Sequence, residues 1–94
     1  MPQKTLIARR WFVRGRVQGV GFRYFAQHSG VKLGLRGYTR NLDDGRVEVY
    51  AVGDPKSIDI MAGLLRTGPR WSDVRGVEEM QAAIEHCDGF RIEP

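Results

Sequence analysis

Cysteine is nearly missing from this 94-residue chain: Cys87 stands alone. No internal disulfide is possible, and a reducing compartment is the simpler expectation. Set in His86-Cys87-Asp88, a polar turn, Cys87 reads as an incidental loop cysteine rather than a reactive thiol. Histidine is scarce as well, and neither His28 nor His86 has a second ligand at metal-binding spacing, so no metal site is expected. No apolar run approaches the roughly 20 residues that span a bilayer. Met1-Pro2-Gln3-Lys4 is not followed by a long apolar core, which argues against a secretory signal. Lysine is limited to Lys4, Lys32 and Lys56, so the net charge of +4 is carried almost entirely by arginine. Such a balance suits nucleic acid or a small polyanion equally.

What is present is an ordinary globular composition, 41% apolar and 28% charged, in a length that fits one domain, residues 1–94. A first strand is expected from about Arg9 to Arg16, with Arg9, Arg10, Arg14 and Arg16 on it or at its exit. Arg9 and Arg10 read as a solvated strand face. A helix over about Phe22 to Leu33 follows, with Gly34 as its C-cap. Two strands, Leu35 to Leu42 and Arg46 to Val52, flank Asp43-Asp44-Gly45, a hairpin signal. In the second, Val47, Val49 and Ala51 alternate with Arg46, Glu48 and Tyr50, which predicts one buried face. Asp54-Pro55 opens a helix bearing Ile58, Met61, Ala62 and Leu65 on one stripe, and Gly68-Pro69 ends it. A strand within Val74 to Ala83, with a bulge at Gly76, and a short one at Phe90 to Ile92 complete the chain. The order is βαββαβ plus a short last strand. It predicts an α+β, ferredoxin-like split βαβ sandwich: an antiparallel sheet with two helices on one face.

The informative stretch is Gly15-Arg16-Val17-Gln18-Gly19-Val20-Gly21-Phe22-Arg23. A glycine-rich turn between strand and helix leaves main-chain N–H groups unpaired beside the positive end of the helix dipole. That builds an anion site, and Arg23 adds a planar five-donor fork. In the expected topology the first and second strands run parallel with the third between them, so Asn41, ending the second, emerges at the same sheet edge as the loop. Asn41 shares its face with Gly37 and Thr39 rather than with Tyr38 and Arg40. If the helices cover that face, Asn41 reaches toward the loop.

A nest of amides, a guanidinium and a carboxamide, without nucleophile, metal or general acid, suits phosphoryl transfer when the leaving group needs no protonation. A carboxylate, whose acid has a pKa near ~4, is such a group. The pocket therefore points to mixed anhydrides rather than phosphate monoesters.

These residues carry a resemblance. The segment Gly15 to Arg23 is similar to the G-x-V-Q-G-V-x-F-R signature of acylphosphatases. Gly34-Leu35-Arg36-Gly37-Tyr38-Thr39-Arg40-Asn41, continuing through Asp44-Gly45-Arg46-Val47-Glu48, resembles their second block. Gly68-Pro69 and Phe90-Arg91-Ile92 also fit, and the likeness runs from about Arg9 to Ile92. The resemblance implies a metal-free, cofactor-free hydrolase that splits acyl phosphates into carboxylate and phosphate. It implies that Arg23 with the loop Gly15 to Phe22 binds the phosphate and that Asn41 orients the attacking water. The implied partners are the small acyl phosphate and phosphate, with no nucleic acid and no membrane, in a monomeric cytoplasmic protein. Thr39 stands where the family usually has valine, adding a hydroxyl to an expected core position.

Other readings are weaker. Gly19-Val20-Gly21-Phe22-Arg23-Tyr24-Phe25 is similar to the RNP1 pattern of RNA-recognition motifs, but places Val20 where an aromatic is wanted and enters a helix rather than the third strand. No G-K-[ST] follows the glycines, which removes a Walker loop. A non-catalytic binding module on the same fold is the remaining rival. Gln18 is expected to shape the loop, Tyr24 and Tyr38 to be surface or rim aromatics, and Trp71 to pack.

Overall fold

A computed structural model describes residues 5–94; the Met1–Lys4 segment weighed above for a secretory signal lies outside the described residues. Strand β1 (Ile7–Arg16) leads through the glycine turn into helix α1 (Phe22–Lys32). Strands β2 (Arg36–Asn41) and β3 (Val47–Gly53) form the hairpin, α2 (Pro55–Thr67) follows, and β4 (Asp73–Ala82) and β5 (Phe90–Ile92) close the chain. The sheet order is β4-β1-β3-β2-β5. The neighbouring pairs among β4, β1, β3 and β2 are antiparallel, whereas β5 joins β2 in parallel, so the sheet is mixed at that edge. The expected ferredoxin-like α+β arrangement is what forms. Among the described residues, no helix is long and apolar enough to cross a membrane.

The helices form where local signals place them. The Asp54 carboxylate accepts from the N–H of Ser57 at 3.0 Å, Pro55 supplies the first helical residue, and Gly68 caps the end. Ile58, Met61, Ala62 and Leu65 are all buried. In α1, Leu33 is the C-cap and Gly34 lies one residue beyond it, with Gly34 N–H donating to Val31 and Leu35 N–H to Gly30. Both helices pack on one sheet face, where Trp11, Val13, Val47, Val49 and Ala51 meet Phe22, Ala26, Ile58, Met61 and Leu65. The register between β1 and β4 slips at Arg14/Gly15, opposite Gly76 and Val74, which puts the irregularity where a bulge was expected.

The structure departs from the sequence reading in four ways, three of them on the other sheet face. β3 is buried at all seven positions, not on one face only, because it is the central strand and residues 83–89 cover its far side. There Tyr50 donates its hydroxyl to the Ala83 carbonyl at 2.6 Å and accepts from the N–H of Glu85 at 2.7 Å. Cys87, read as an incidental loop cysteine in a polar turn, does lie in a loop but is buried, in a second cluster with Ala8, Tyr50 and Val52. Burial pushes its thiol pKa up and keeps it neutral. Arg10, read as solvated, is part-buried: it lies over the Tyr50 ring, donates to the Tyr38 hydroxyl, and sits 3.0 Å from the buried Glu48 carboxylate without hydrogen-bond alignment. Arg40 holds the other oxygen of Glu48. Trp71, expected to pack, is 71% exposed, with the Arg70 guanidinium over its ring.

Candidate active site

Between the end of β1 and the start of α1 the chain must turn sharply, and two left-handed residues accomplish it. Gly19 (φ 72°) and Gly21 (φ 80°) adopt a conformation that a side chain would strain, although a Cβ at either position would meet nothing. It is the backbone angle, not lack of space, that calls for glycine here. Gly21 is also the N-cap of α1, so no side chain caps the helix, and its first turn contains no acidic residue. The N–H groups of Gly19, Val20, Gly21 and Phe22 accordingly donate to no main-chain carbonyl among the described residues. Helix-end donors left in this way take a partner from outside, and the uncompensated dipole favours an anion.

Gln18 fixes where the turn sits. Its Nε2 donates to the carbonyls of Leu42 at 2.7 Å and Arg46 at 3.0 Å, tying the loop to the base of the β2–β3 hairpin. Asn41 is the last residue of β2, where the hairpin turn starts. The parallel placement of β1 and β2 about β3 therefore brings Asn41 and the loop to one edge of the sheet.

Arg23 and Asn41 line the same cavity, of about 140 Å³, together with Val17, Gly19, Gly21, Phe22, Tyr24 and Ile92. The Arg23 Nη1 donates to the main-chain carbonyl of Glu93 at 3.0 Å, just beyond β5. That bond restrains the guanidinium while leaving its remaining donors for other partners. Asn41 Oδ1 is buried and has no partner among the described residues. A buried acceptor left unpaired is costly, and Asn41 is among the residues that line the cavity.

Four loop residues named from the sequence do not line the cavity. Gly15 and Arg16 remain within β1, paired with Val74 and Asp73. The Gln18 side chain is spent on the hairpin, and Val20 packs against the core. Three contributors were not read as site residues: Tyr24, taken for a rim aromatic, Ile92, and the carbonyl of Glu93. Tyr24 follows Arg23 directly, a signal present in the sequence. Ile92 reaches the cavity, and the Glu93 carbonyl reaches the Arg23 guanidinium, only because β5 docks beside β2.

The acylphosphatase family model matches residues 9–92. An acylphosphatase of Solibacter usitatus is 69% identical over 85 residues, covering 90% of this chain and 88% of its own. Among solved structures, an acylphosphatase from Coxiella burnetii superposes with a TM-score of 0.92 at 34% identity, covering 99% and 100% of the two chains. One from Bacillus subtilis gives 0.90 at 36% identity, covering 96% and 100%.

Proposed function

The chain belongs to the acylphosphatase family, hydrolases of acyl phosphates, and we propose that its cavity works through Arg23, the loop amides and Asn41. The guanidinium and the N–H groups of Gly19, Val20, Gly21 and Phe22 hold the phosphoryl oxygens. The Asn41 carboxamide aims a water at phosphorus, in line with the acyl oxygen. The water oxygen forms the new P–O bond. The bond from phosphorus to the acyl oxygen breaks, and the carboxylate leaves with the electron pair, needing no proton. Among the described residues, no Asp, Glu, His, Cys or Lys lines the cavity, so the water proton passes to a phosphoryl oxygen of the substrate. The products are a carboxylate and phosphate.

One observation carries this reading: Arg23 and Asn41, far apart in sequence, line one cavity beside helix-end amides that donate to no main-chain carbonyl among the described residues. Among the described residues the lining offers no carboxylate, imidazole or thiolate to a metal, and the proposed reaction uses none. The chain works, in this reading, as a single domain spanning residues 1–94. It acts as a cytoplasmic monomer on small acyl phosphates, without nucleic acid; the lone cysteine suits a reducing compartment.

Hydrolysis of benzoyl phosphate, followed with and without EDTA, tests the proposal. Equal turnover in both is the expected result. No hydrolysis overturns the catalytic reading, and activity that is lost on chelation and restored by a divalent cation overturns its metal independence.

A further inference from the structure

The cavity changes character away from its phosphate end. Among the described residues Arg23 is the one charged side chain on its wall, and Val17, Phe22, Tyr24 and Ile92 supply most of the rest. Its volume of about 140 Å³ is half the low end of ordinary small-molecule pockets, about 300 Å³. The phosphoryl group and the carbonyl fill such a space, and the remainder of the acyl group passes out across the rim.

Tyr24 stands at that rim. As the third residue of α1, immediately after Arg23, it is 74% exposed yet lines the cavity. Its ring stacks on no other ring among the described residues, unlike Phe22 and Phe25, which meet edge to face at 5.9 Å. It extends outward an apolar lining that begins with buried Val17 and Phe22 and continues through half-buried Ile92. Among the described residues no second cationic side chain lines the cavity, and Arg23 is engaged by the phosphoryl group. A second anionic group on the acyl side would find nothing there to neutralise it.

We propose that Tyr24 determines acyl-group specificity, offering its ring face to planar, uncharged acyl groups, so that aryl acyl phosphates are preferred over short-chain and dianionic-acyl ones. The inference rests on the reading of Arg23 as the phosphate clamp.

The ratio of kcat/KM for benzoyl phosphate to that for acetyl phosphate tests it, measured in the wild type, Tyr24→Ala and Tyr24→Phe. Loss of ring stacking is expected to lower the ratio about threefold to tenfold in Tyr24→Ala, as a higher KM for benzoyl phosphate. Tyr24→Phe, which keeps the ring, retains the wild-type ratio. Succinyl phosphate, with its second carboxylate, is hydrolysed less efficiently than butyryl phosphate. An unchanged ratio in Tyr24→Ala, or an equal fall in Tyr24→Phe, overturns the role of the ring and leaves the phosphate site standing. Succinyl phosphate turned over as well as butyryl phosphate overturns the preference for uncharged acyl groups. Wild-type protein that hydrolyses none of these substrates overturns both readings.

Discussion

The guanidinium of Arg23 is tethered to the main-chain carbonyl of Glu93, 3.0 Å from Nη1. Glu93 is itself held by its N–H, which donates to the Thr39 carbonyl at 2.8 Å. The orientation of Arg23 thus depends on how the last strand docks beside β2, the strand that ends in Asn41. The two side chains proposed to act on the substrate are positioned from one strand.

The first prediction follows from that tether. Glu93→Pro removes the N–H that pins the carbonyl while leaving a carbonyl in place. Misplacing a catalytic group by an ångström costs up to about a hundredfold, so kcat/KM is expected to fall about tenfold or more, with weaker inhibition by phosphate. Glu93→Ala keeps both main-chain groups and retains most of the activity. Steady-state kinetics on the two variants, with thermal melts to establish folding, provide the check.

Arg23 and Asn41 are expected to fail differently. Arg23→Ala loses phosphate binding and turnover together. Arg23→Lys also fails badly, because a point charge cannot reproduce a planar two-pronged clamp. Asn41→Ala retains phosphate binding but loses about 10²–10³ in rate, the typical cost of one oriented group. Calorimetric phosphate titration alongside turnover separates the two. An Asn41→Ala variant with wild-type kcat would remove that residue from the proposed mechanism.

The parts of this architecture legible in the sequence are those set by local chemistry. The glycines between Gly15 and Gly21 announce a turn, Asp54-Pro55 a helix start, and Asp43-Asp44-Gly45 a hairpin; each structure forms within a few residues of its signal. What escaped depends on covering from far along the chain. The alternation of Glu48 and Tyr50 with valines in β3 looks half-exposed until residues 83–89 fold over them and Arg10 and Arg40 neutralise Glu48. Cys87 is buried by the same segment. Ile92 reaches the cavity, and the Glu93 carbonyl reaches Arg23, only through a parallel pairing with no local motif.

A third prediction concerns pH. The Asp44 carboxylate accepts from the main-chain N–H of Arg46 at 3.1 Å and from its guanidinium at 2.8 Å, the main-chain bond being the larger cause of a carboxyl held below its ordinary value. A carboxyl depressed in the folded state contributes stability that is full above its unfolded pKa and is lost as pH falls through the folded one. The urea midpoint of Asp44→Ala should therefore lie below that of the wild type at pH 7, and the difference should shrink as pH drops below the ordinary aspartate range. A difference that persists undiminished into strong acid would show that the carboxylate charge is not its source. Because Gln18 hangs the phosphate loop on Leu42 and Arg46, loosening this turn is also expected to raise KM.

Thr39 carries the last prediction. It is fully buried on the helix-covered face, paired with Val49 and Ile92, and its hydroxyl has no partner among the described residues. An unsatisfied buried hydroxyl costs about 1–3 kcal/mol, whereas valine fills nearly the same shape without that penalty. Thr39→Val should then stabilise the fold by about 1 kcal/mol, which for a domain of this size raises Tm by about 4–8 °C. Thr39 does not line the cavity, so turnover should follow Asn41 rather than this residue. A lower Tm together with slower turnover would instead mean that the hydroxyl holds an internal water whose other partner is the unpaired Asn41 oxygen, two residues along the same strand face. Differential scanning calorimetry and kcat, measured on one preparation of Thr39→Val, decide between an orphaned hydroxyl and a structural water beneath the carboxamide.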